Sequence, residues 1–471
     1  MDCLRGIRSA NGMVTLMKLT QLPALAVALL PVSLLAGDGV LDLTALLNYA
    51  NRPVPAYITK NNTTPGNPIT DKGATLGRVL FHDKRLSRNN TISCSSCHVQ
   101  SKGFGDLPVA STGVAGTTGR HSMRLINARF ANEARFFWDE RATNLEAQTT
   151  QPIRDHTEMG FSATLGDPAF ADLVTKLSAI DDYRVLFAMT YGSATITETR
   201  IQQALAQFVR SIQSFDSKFD IGRAQVANNG APFPNFTAQE NNGKQLFLGA
   251  PAPPGQPVTG AGCNACHSAP EFDIDPRSLN NGVITKIGGG TDLTNTRSPS
   301  LRDLVGPNGQ SNGPMMHDGS FATIEQVINH YNAIPGDNAT LDNRLRRPGG
   351  GVQNLNLSQQ QKDALAAFLR TLTGTSVYTD VRWSDPFNAQ NQLTLIVLPP
   401  DAVEIINNHN GTATISCQAA PGLSYLFQSS TDLNSWTTLA TRTSDATGRC
   451  ETVVTISGNT FFRYAYQPPA L

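Results

Sequence analysis

The sequence predicts a mainly α fold, in which two helical domains are followed by a small C-terminal all-β domain. Helical periodicity is clearest in residues 199–215 and 358–374, where apolar residues recur at spacings of three and four. After about Asn388 the pattern changes to an alternation of apolar and polar residues, with turn residues between the alternating segments. A Cys-x-x-Cys-His motif occurs once in each half of the helical part, which indicates a repeated domain.

The N-terminal residues 1–36 are predicted to be a signal peptide. Lys18 precedes a short apolar stretch, from Leu22 to Ala36, that ends on small residues. We expect cleavage after Ala36, with Met17 as an alternative start, and a mature protein that is periplasmic or otherwise exported. No other stretch approaches the roughly 20 apolar residues of a membrane-spanning helix, so no membrane span is expected.

Residues 37–220 and 221–387 are the two predicted helical domains, and each contains one of the motifs. A helix-like stretch precedes each motif, at residues 73–83 and 238–249, and glycine-rich loops follow it. The 39 glycines and 28 prolines of the chain imply many loops, as expected where small helical modules wrap a large cofactor.

Residues 388–471 are predicted to form a β-sandwich, because alternating segments such as 412–419 and 451–458 are separated by turn residues. Cys417 and Cys450 fall in two of these predicted strands. An exported chain is able to pair them as a disulfide. Docking to a surface or partner and simple stabilisation are both open as roles for this domain.

The charge of the chain is balanced. Its 471 residues include 37 Lys and Arg against 37 Asp and Glu, so the formal net charge is zero. Without a basic field there is no indication of nucleic acid as a partner. Partners are therefore inferred from the sites.

Both motifs place two cysteines three residues apart, with a histidine directly behind the second cysteine. The chain has only 7 cysteines, so two such motifs call for one explanation. Three chemistries compete for it, namely a zinc site, a redox dithiol and covalent attachment of haem. The motif residues are Cys94, Cys97, His98, Cys263, Cys266 and His267.

Haem accounts for all of these residues. In an exported protein an isolated Cys-x-x-Cys tends to become a disulfide unless something captures it. One zinc ion held by the four cysteines is an alternative, but it leaves both histidines without a role. With haem, the two thiols reach the porphyrin edge and the imidazole turns beneath the iron, so one segment supplies both tether and proximal ligand.

Three longer segments resemble the signature blocks of the bacterial dihaem cytochrome c peroxidase family, which includes the dihaem enzyme that matures methylamine dehydrogenase. They are "LGRVLFHDKRLSRNNTISCSSCH", "FFWDERATNLEAQTTQPIRDHTEMG" and "GPMMHDGSFATIEQVINHYN". The resemblance covers about residues 50–387 and implies two cytochrome c-type domains, each with a covalent c-type haem. It further implies that the haem of His98 meets peroxide and that the haem of His267 passes electrons to it.

The resemblance also assigns residues around the first haem. Glu158 corresponds to the family's catalytic glutamate, and Gln148 and Pro152 match other residues of that pocket. A carboxyl group in an apolar pocket has a raised pKa, which suits a group that moves a proton at neutral pH. Trp138 matches the tryptophan that lies between the haems and relays electrons. Without the resemblance, Glu158 would be read as a solvated charge and Trp138 as a core aromatic residue.

The sixth ligand of the second haem is expected to be Tyr331. Members of the family generally have a methionine at this position, whereas the maturation enzyme has a tyrosine. A phenolate favours ferric iron and a thioether raises the reduction potential. Met316 or Met315, in "GPMMHDG", and His330 are the alternatives.

Two features depart from the family's common pattern. Peroxidases that need reductive activation have a distal histidine in the loop that reads "LPVASTGVAGTTGR" here, at residues 107–120, and this loop has none. We therefore expect a five-coordinate first haem that is ready for peroxide. His121 falls where the family has a calcium-binding asparagine, and the two carbonyl ligands fall at Asn312 and Pro314. Imidazole is a poor calcium ligand, so two alternatives are open. Either calcium binds here, or His121 binds a haem propionate or is simply exposed.

The predicted function is reduction of hydrogen peroxide with electrons from a small redox protein, a cytochrome c or a cupredoxin. A peroxide-dependent oxidase of a protein or metabolite is an alternative, and a dihaem electron carrier without catalysis is another. The maturation enzyme's exit tryptophan is replaced by Ala261, which favours a small substrate. A homodimer is also considered.

Overall fold

The computed structural model describes residues 5–7, 9–10, 13–14, 37–253, 255–274, 276, 278–294, 297–347, 350–398, 403–455 and 460–469. The predicted signal peptide falls mostly outside these residues, and its apolar stretch from Leu22 to Ala36 lies wholly outside them. The described residues are mixed, at 27% helix and 17% strand, with C-terminal β sheets. Within the described part of the chain, no helix is long and apolar enough to cross a membrane.

Ten α-helices follow one another in the described residues. They are α1 Asp71–His82, α2 Leu145–Thr149, α3 Gln151–Arg154, α4 Phe170–Ser178, α5 Asp181–Tyr191, α6 Glu198–Ser211, α7 Lys218–Arg223, α8 Ala238–Leu248, α9 Ile324–Asn332 and α10 Gln359–Arg370. Both Cys-x-x-Cys-His motifs begin in a short 3₁₀ turn, at Cys94–Ser96 and Cys263–Ala265.

The strands are shorter and are concentrated in the last part of the chain. They are β1 Arg5–Ile7, β2 Ser9–Ala10, β3 Met13–Val14, β4 Val40–Asp42, β5 Thr112–Gly113, β6 Gly116–Thr117, β7 His267–Ser268, β8 Asp273–Ile274, β9 Thr394–Ile396, β10 Val403–Asn407, β11 Thr412–Gln418, β12 Ser424–Ser430, β13 Thr437–Thr443, β14 Arg449–Thr455 and β15 Thr460–Tyr466.

The chain divides into two compact units. One, here called the motif unit, comprises Asn48–Leu173 and Glu198–Asp385, and it contains both cysteine motifs. The other, here called the strand unit, comprises Met1–Leu47, Val174–Thr197 and Pro386–Leu471. Residues 174–197 thus group with the C-terminal strands, although the sequence analysis assigned them to the first helical domain.

The motif unit repeats one packing arrangement. The helix before each motif packs against a later helix, α1 against α6 and α8 against α10. At both crossings a glycine lets the backbones approach. A Cβ at Gly77 would lie 2.0 Å from the carbonyl oxygen of Ala204, and one at Gly243 would lie 1.9 Å from that of Ala364. Two equivalent helix pairs, each beside one motif, are what a repeated domain requires.

The strand unit is built from two antiparallel sheets. Their strand orders are β1-β15-β12-β13 and β10-β11-β14. Alternate residues are buried, for example Ala413 and Ile415 on β11 and Tyr425 and Phe427 on β12, as the alternating sequence pattern predicts. Strand β4 pairs in parallel with β9. None of the described residues of this unit lines the cavities described below.

Candidate functional site

The first motif folds into a tight turn that is held by local hydrogen bonds. The backbone N–H of Ser93 donates to Oγ of Ser96 at 3.0 Å, and the backbone N–H of His98 donates to the carbonyl of Cys94 at 3.0 Å. As a result both cysteines and the histidine line one cavity, together with Phe81 of α1. The turn therefore presents tether and ligand to the same space.

His98 is oriented as a metal-ligating histidine. Its Nδ1 lies 3.2 Å from the carbonyl oxygen of Phe104. Because a carbonyl only accepts, Nδ1 carries the proton and Nε2 keeps its lone pair. Burial lowers the pKa of His98 below its usual value, which keeps the imidazole neutral as an iron ligand must be.

A cavity of about 420 Å³ brings His98 together with the other residues predicted around the first haem, since Gln148, Pro152 and Glu158 all line it. Helices α2 and α3 place Gln148 and Pro152, and the loop that follows α3 places Glu158. The structure therefore brings all of these residues together in one cavity.

Glu158 is held by the loop in which it lies. Oδ1 of Asp155 accepts the backbone N–H groups of Thr157 at 2.8 Å and of Glu158 at 2.9 Å. Burial raises the pKa of Glu158 to about 7, with a further increase from the charge of Asp155 and an opposing effect from Arg141. A carboxyl group with such a pKa both accepts and donates a proton near neutrality.

The histidine-free loop is docked against the backbone of Glu158. It forms the hairpin of β5 and β6, in which the N–H of Val114 donates to the carbonyl of Glu158 at 3.1 Å and the N–H of Ala115 to that of Thr157 at 3.1 Å. A Cβ at Gly113 would lie 2.0 Å from the Thr157 carbonyl oxygen. Only glycine permits this approach, so Gly113 supports the Glu158 segment.

The second motif lines a separate cavity of about 360 Å³. The turn is preceded by Gly262 in the left-handed region at φ +73°, and Asn264 fixes the following segment by accepting the N–H of Ala269 at 2.8 Å. Burial lowers the pKa of His267 to about 4, against the effect of the Pro299 carbonyl. His267 is therefore also a neutral imidazole.

Three of the four candidate sixth ligands line this second cavity, namely Tyr331, Met315 and Met316, and His330 does not. His330 instead donates from Nε2 to the carbonyl of Asn281 at 2.8 Å. Met315 packs in the apolar core of α8 and α10. Burial raises the pKa of the Tyr331 hydroxyl, and the Asn281 side chain lowers it.

The cavity of about 420 Å³ at His98 and the cavity of about 360 Å³ at His267 share a wall. Trp138 belongs to it and donates its indole N–H to the carbonyl of His121 at 2.7 Å. Trp138 is 8% exposed, so it is packed as a core residue while facing both cavities. The residues that line both are His121, Ser122, Met123, Arg124, Trp138, Arg297 and Pro299.

This wall contains two arginine side chains that suit an anionic cofactor, Arg297, which is buried, and Arg124, which is half-buried. Arg124 and Arg297 make no ion pair within the described residues, and Nε of each is buried without a hydrogen-bond partner there. Burial lowers the pKa of Arg124, and it lowers that of Arg297 to about 10. Buried cations need compensating charge, which haem propionates would supply.

The cysteines fit haem better than zinc. Burial raises the pKa of Cys94 to about 12 and that of Cys263 to about 12, so both are neutral thiols. The two motifs line different cavities. Among the described residues, no group of three or more His, Cys, Asp or Glu side chains is arranged to hold a metal ion. A four-cysteine zinc site therefore does not fit.

The side chains of His121 and Asn312, at the predicted calcium site, are engaged by the protein itself. Nδ1 of His121 donates to the carbonyls of Pro108 and Val109 at 3.1 and 3.2 Å. Nδ2 of Asn312 donates to the carbonyl of Asp303 at 2.9 Å and to Tyr378 Oη at 2.8 Å. The carbonyls of Asn312 and Pro314 as calcium ligands stay a prediction.

Comparison with known proteins places the chain in a family. The sequence profile described as "Di-haem cytochrome c peroxidase" matches residues 71–226. The methylamine utilization protein MauG of Methylophilus methylotrophus is 32% identical over 345 residues, which are 69% of this chain and 90% of that protein. The chain belongs to the di-haem cytochrome c peroxidase family. The resemblance found in the sequence is thereby confirmed.

Other relatives agree. Cytochrome c551 peroxidase of Nitrosomonas europaea is 28% identical over 363 residues, which are 74% of this chain and 91% of that protein. A crystal structure of a MauG-like protein associated with microbial copper homeostasis shares 30% identity and covers 71% of this chain and 99% of that one, with a TM-score of 0.56. This member of the family is a peroxidase, and its cofactors are two c-type haems.

The sequence analysis missed three kinds of residue. Arg124 and Arg297 carry no local motif, because their role depends on a wall formed by distant segments. Gly113 is one of 39 glycines, and only the docked hairpin sets it apart. Asn281 contacts both Tyr331 and Met316, and nothing in its sequence neighbourhood signals that position.

Proposed function

We propose that this chain is an exported enzyme that reduces hydrogen peroxide to water with electrons from a small redox protein, a cytochrome c or a cupredoxin. The observation that carries the proposal is the shared cavity of His98, Gln148, Pro152 and Glu158. A proximal ligand and a carboxyl group with a pKa of about 7 are the parts that peroxide cleavage needs on one site. A haem held by His98 would supply the iron that binds peroxide and would hold the oxidising equivalents that peroxide delivers.

Glu158 has the role of moving the proton. As a carboxylate it accepts a proton from incoming peroxide, and as a carboxylic acid it returns that proton to the departing oxygen. The Gln148 amide can hold the peroxide by hydrogen bonds, because it offers both a donor and an acceptor. Pro152 contributes an apolar surface that limits water beside the carboxyl group.

Trp138 has the role of carrying electrons between the two cavities. Its ring lies in their common wall, and its hydrogen bond to His121 fixes the orientation of the indole. His267 would hold the second haem, and Tyr331 would be its other protein ligand, with Met316 or Met315 as the alternative. That haem would take up electrons from the donor protein, and Trp138 would pass them to the first site.

The domain organisation is proposed in the same terms. Residues 37–220 and 221–387 form two cytochrome c-type domains of a mainly α catalytic part, and residues 388–471 form a β-sandwich. The repeated helix pairs α1–α6 and α8–α10 support the duplication. Sequencing of the mature N-terminus tests whether residues 1–36 are removed during export. Metal analysis tests whether calcium binds at Asn312 and Pro314. Sedimentation tests whether the protein is a homodimer.

The steady-state test mixes haem-loaded protein with hydrogen peroxide and a reduced small cytochrome c, and follows oxidation of the cytochrome. We expect turnover by the wild type and a loss of about 100-fold or more in Glu158→Gln. Glu140→Gln is the matched control, because burial also raises the pKa of Glu140 to about 7 but Glu140 does not line the cavity. Equal loss in both variants would contradict the role of Glu158.

A peroxide-dependent oxidase of a protein or metabolite is the second candidate. The docked, histidine-free hairpin and the place of Tyr331 in the second cavity favour it, because both suit a protein that stores oxidising equivalents. An oxidised state that persists in the presence of reduced cytochrome would support this candidate. A dihaem carrier without catalysis would show no response of the oxidised protein to peroxide.

A further inference from the structure

The second cavity contains an amide side chain that contacts two candidate sixth ligands at once. Nδ2 of Asn281 lies 3.3 Å from the sulfur of Met316 and 3.4 Å from the hydroxyl oxygen of Tyr331. A carboxamide nitrogen carries two hydrogens, so it has one for each partner. Asn281 is thus placed between the two side chains that compete for the same position.

The orientation of this amide is set by its other end. Oδ1 of Asn281 accepts the backbone N–H of Val283 at 3.1 Å. A backbone N–H can only donate, so the oxygen must face Val283 and the NH₂ group must face Tyr331 and Met316.

The turn that carries Asn281 is rigid. Asn280 is fully buried, and its Oδ1 accepts from Gly282 at 2.8 Å and from Nδ2 of Asn338 at 3.1 Å. The Asn281 carbonyl accepts from His330 on α9. Since Tyr331 is the next residue of that helix, the amide and the phenol are held in fixed register.

We propose that Asn281 is a positioning residue that selects Tyr331 over Met316 as the sixth ligand of the second haem. One N–H donates to the Tyr331 oxygen and positions that side chain as a ligand for ferric iron. The other N–H engages the thioether sulfur and would keep it from acting as the ligand. This inference rests on the proposed second haem at His267 and adds to it the residue that decides the ligand.

Two variants test the proposal by spectroscopy of the haem-loaded ferric protein. Asn281→Leu removes both donors, and Asn281→Asp keeps the oxygen toward Val283 while presenting an acceptor to Tyr331. In both we expect loss of the phenolate signature, appearance of the red absorption band of methionine-ligated ferric haem c, and a rise in the reduction potential of the second haem. Adding Met316→Leu to Asn281→Leu should abolish the new band.

Asn338→Ala is the matched control, because it removes one of the two hydrogen bonds to Oδ1 of Asn280 and leaves both the Gly282 bond and the amide that faces the cavity in place. It should keep the wild-type spectrum and potential. The proposal is overturned if both Asn281 variants keep the wild-type spectrum, if Asn338→Ala reproduces their change, or if the wild type itself is methionine-ligated. In these cases the peroxidase proposal stands. Absence of haem from Cys263 and Cys266, measured by mass, would instead overturn the proposed second site together with this inference.

Discussion

The indole N–H of Trp138 donates a 2.7 Å hydrogen bond to the backbone carbonyl of His121. Both residues line both cavities, so the bond fixes an aromatic ring in the wall between the two sites. A buried tryptophan fills space and needs a partner for its N–H, and this one satisfies both requirements in the wall that the two cavities share.

Trp138→Phe is expected to slow electron transfer between the two haems by on the order of tenfold, because the smaller ring widens the gap and loses its anchor. The measurement is the time course of the second haem's oxidation after a peroxide pulse. Trp383→Phe is the control, since Trp383 is fully buried and lines neither cavity. Equal slowing of electron transfer in both variants would contradict a specific role of Trp138, because loss of core packing alone would then explain the effect.

The reaction of the first site with peroxide is expected to rise with pH through about 7. Burial raises the pKa of Glu158 to about 7, so the proton-accepting carboxylate forms only as pH passes that value. Folding of the apoprotein has the opposite dependence on pH, because the stabilising contribution of the protonated group is present below its unfolded pKa and is lost as pH rises through 7. The pH profile of the rate constant for the reaction with peroxide tests this prediction. The Glu140→Gln variant should retain the rise in rate near pH 7.

Gly113→Ala is expected to destabilise the protein by roughly 1–3 kcal/mol, because the new Cβ would lie 2.0 Å from the Thr157 carbonyl oxygen. Displacing that segment should also shift the pH step of Glu158. Gly119→Ala in the same loop is the control, since a Cβ at Gly119 meets nothing within 4 Å. Thermal unfolding and the pH profile are the readouts, and an unchanged step in Gly113→Ala would refute the supporting role.

The strand unit is expected to contain a disulfide after export. Cys417 and Cys450 are register partners on the antiparallel strands β11 and β14, and both are buried. Paired residues of this kind have Cβ atoms close enough for a bond. Mass spectrometry of the alkylated protein should find no free thiol at either position, and reduction should cost about 2–4 kcal/mol. Two alkylated thiols in freshly exported protein would contradict this prediction.

The site residues that could be predicted from the sequence are those that lie within contiguous motifs. His98 and Glu158 were predicted from separate blocks, and the fold brings both to one cavity. Trp138 was predicted to lie between the sites, and it lines both cavities. In each case the motif fixes the local geometry, and the helix pairs place the motifs.

What the sequence did not predict depends on approach between distant segments. Arg124 and Arg297 become recognisable only when a common wall shields their Nε atoms from water. The contact of Asn281 with Met316 requires a rigid turn that no local pattern reveals.

The most direct test is single-turnover mixing of fully oxidised, haem-loaded protein with one equivalent of hydrogen peroxide, followed optically for wild type and Glu158→Gln. We expect prompt reaction of the oxidised wild type, without prior reduction, and a rate lower by about 100-fold or more in Glu158→Gln. Equal rates in the two proteins, or no reaction of the oxidised wild type, would contradict the proposed role of Glu158 in peroxide cleavage.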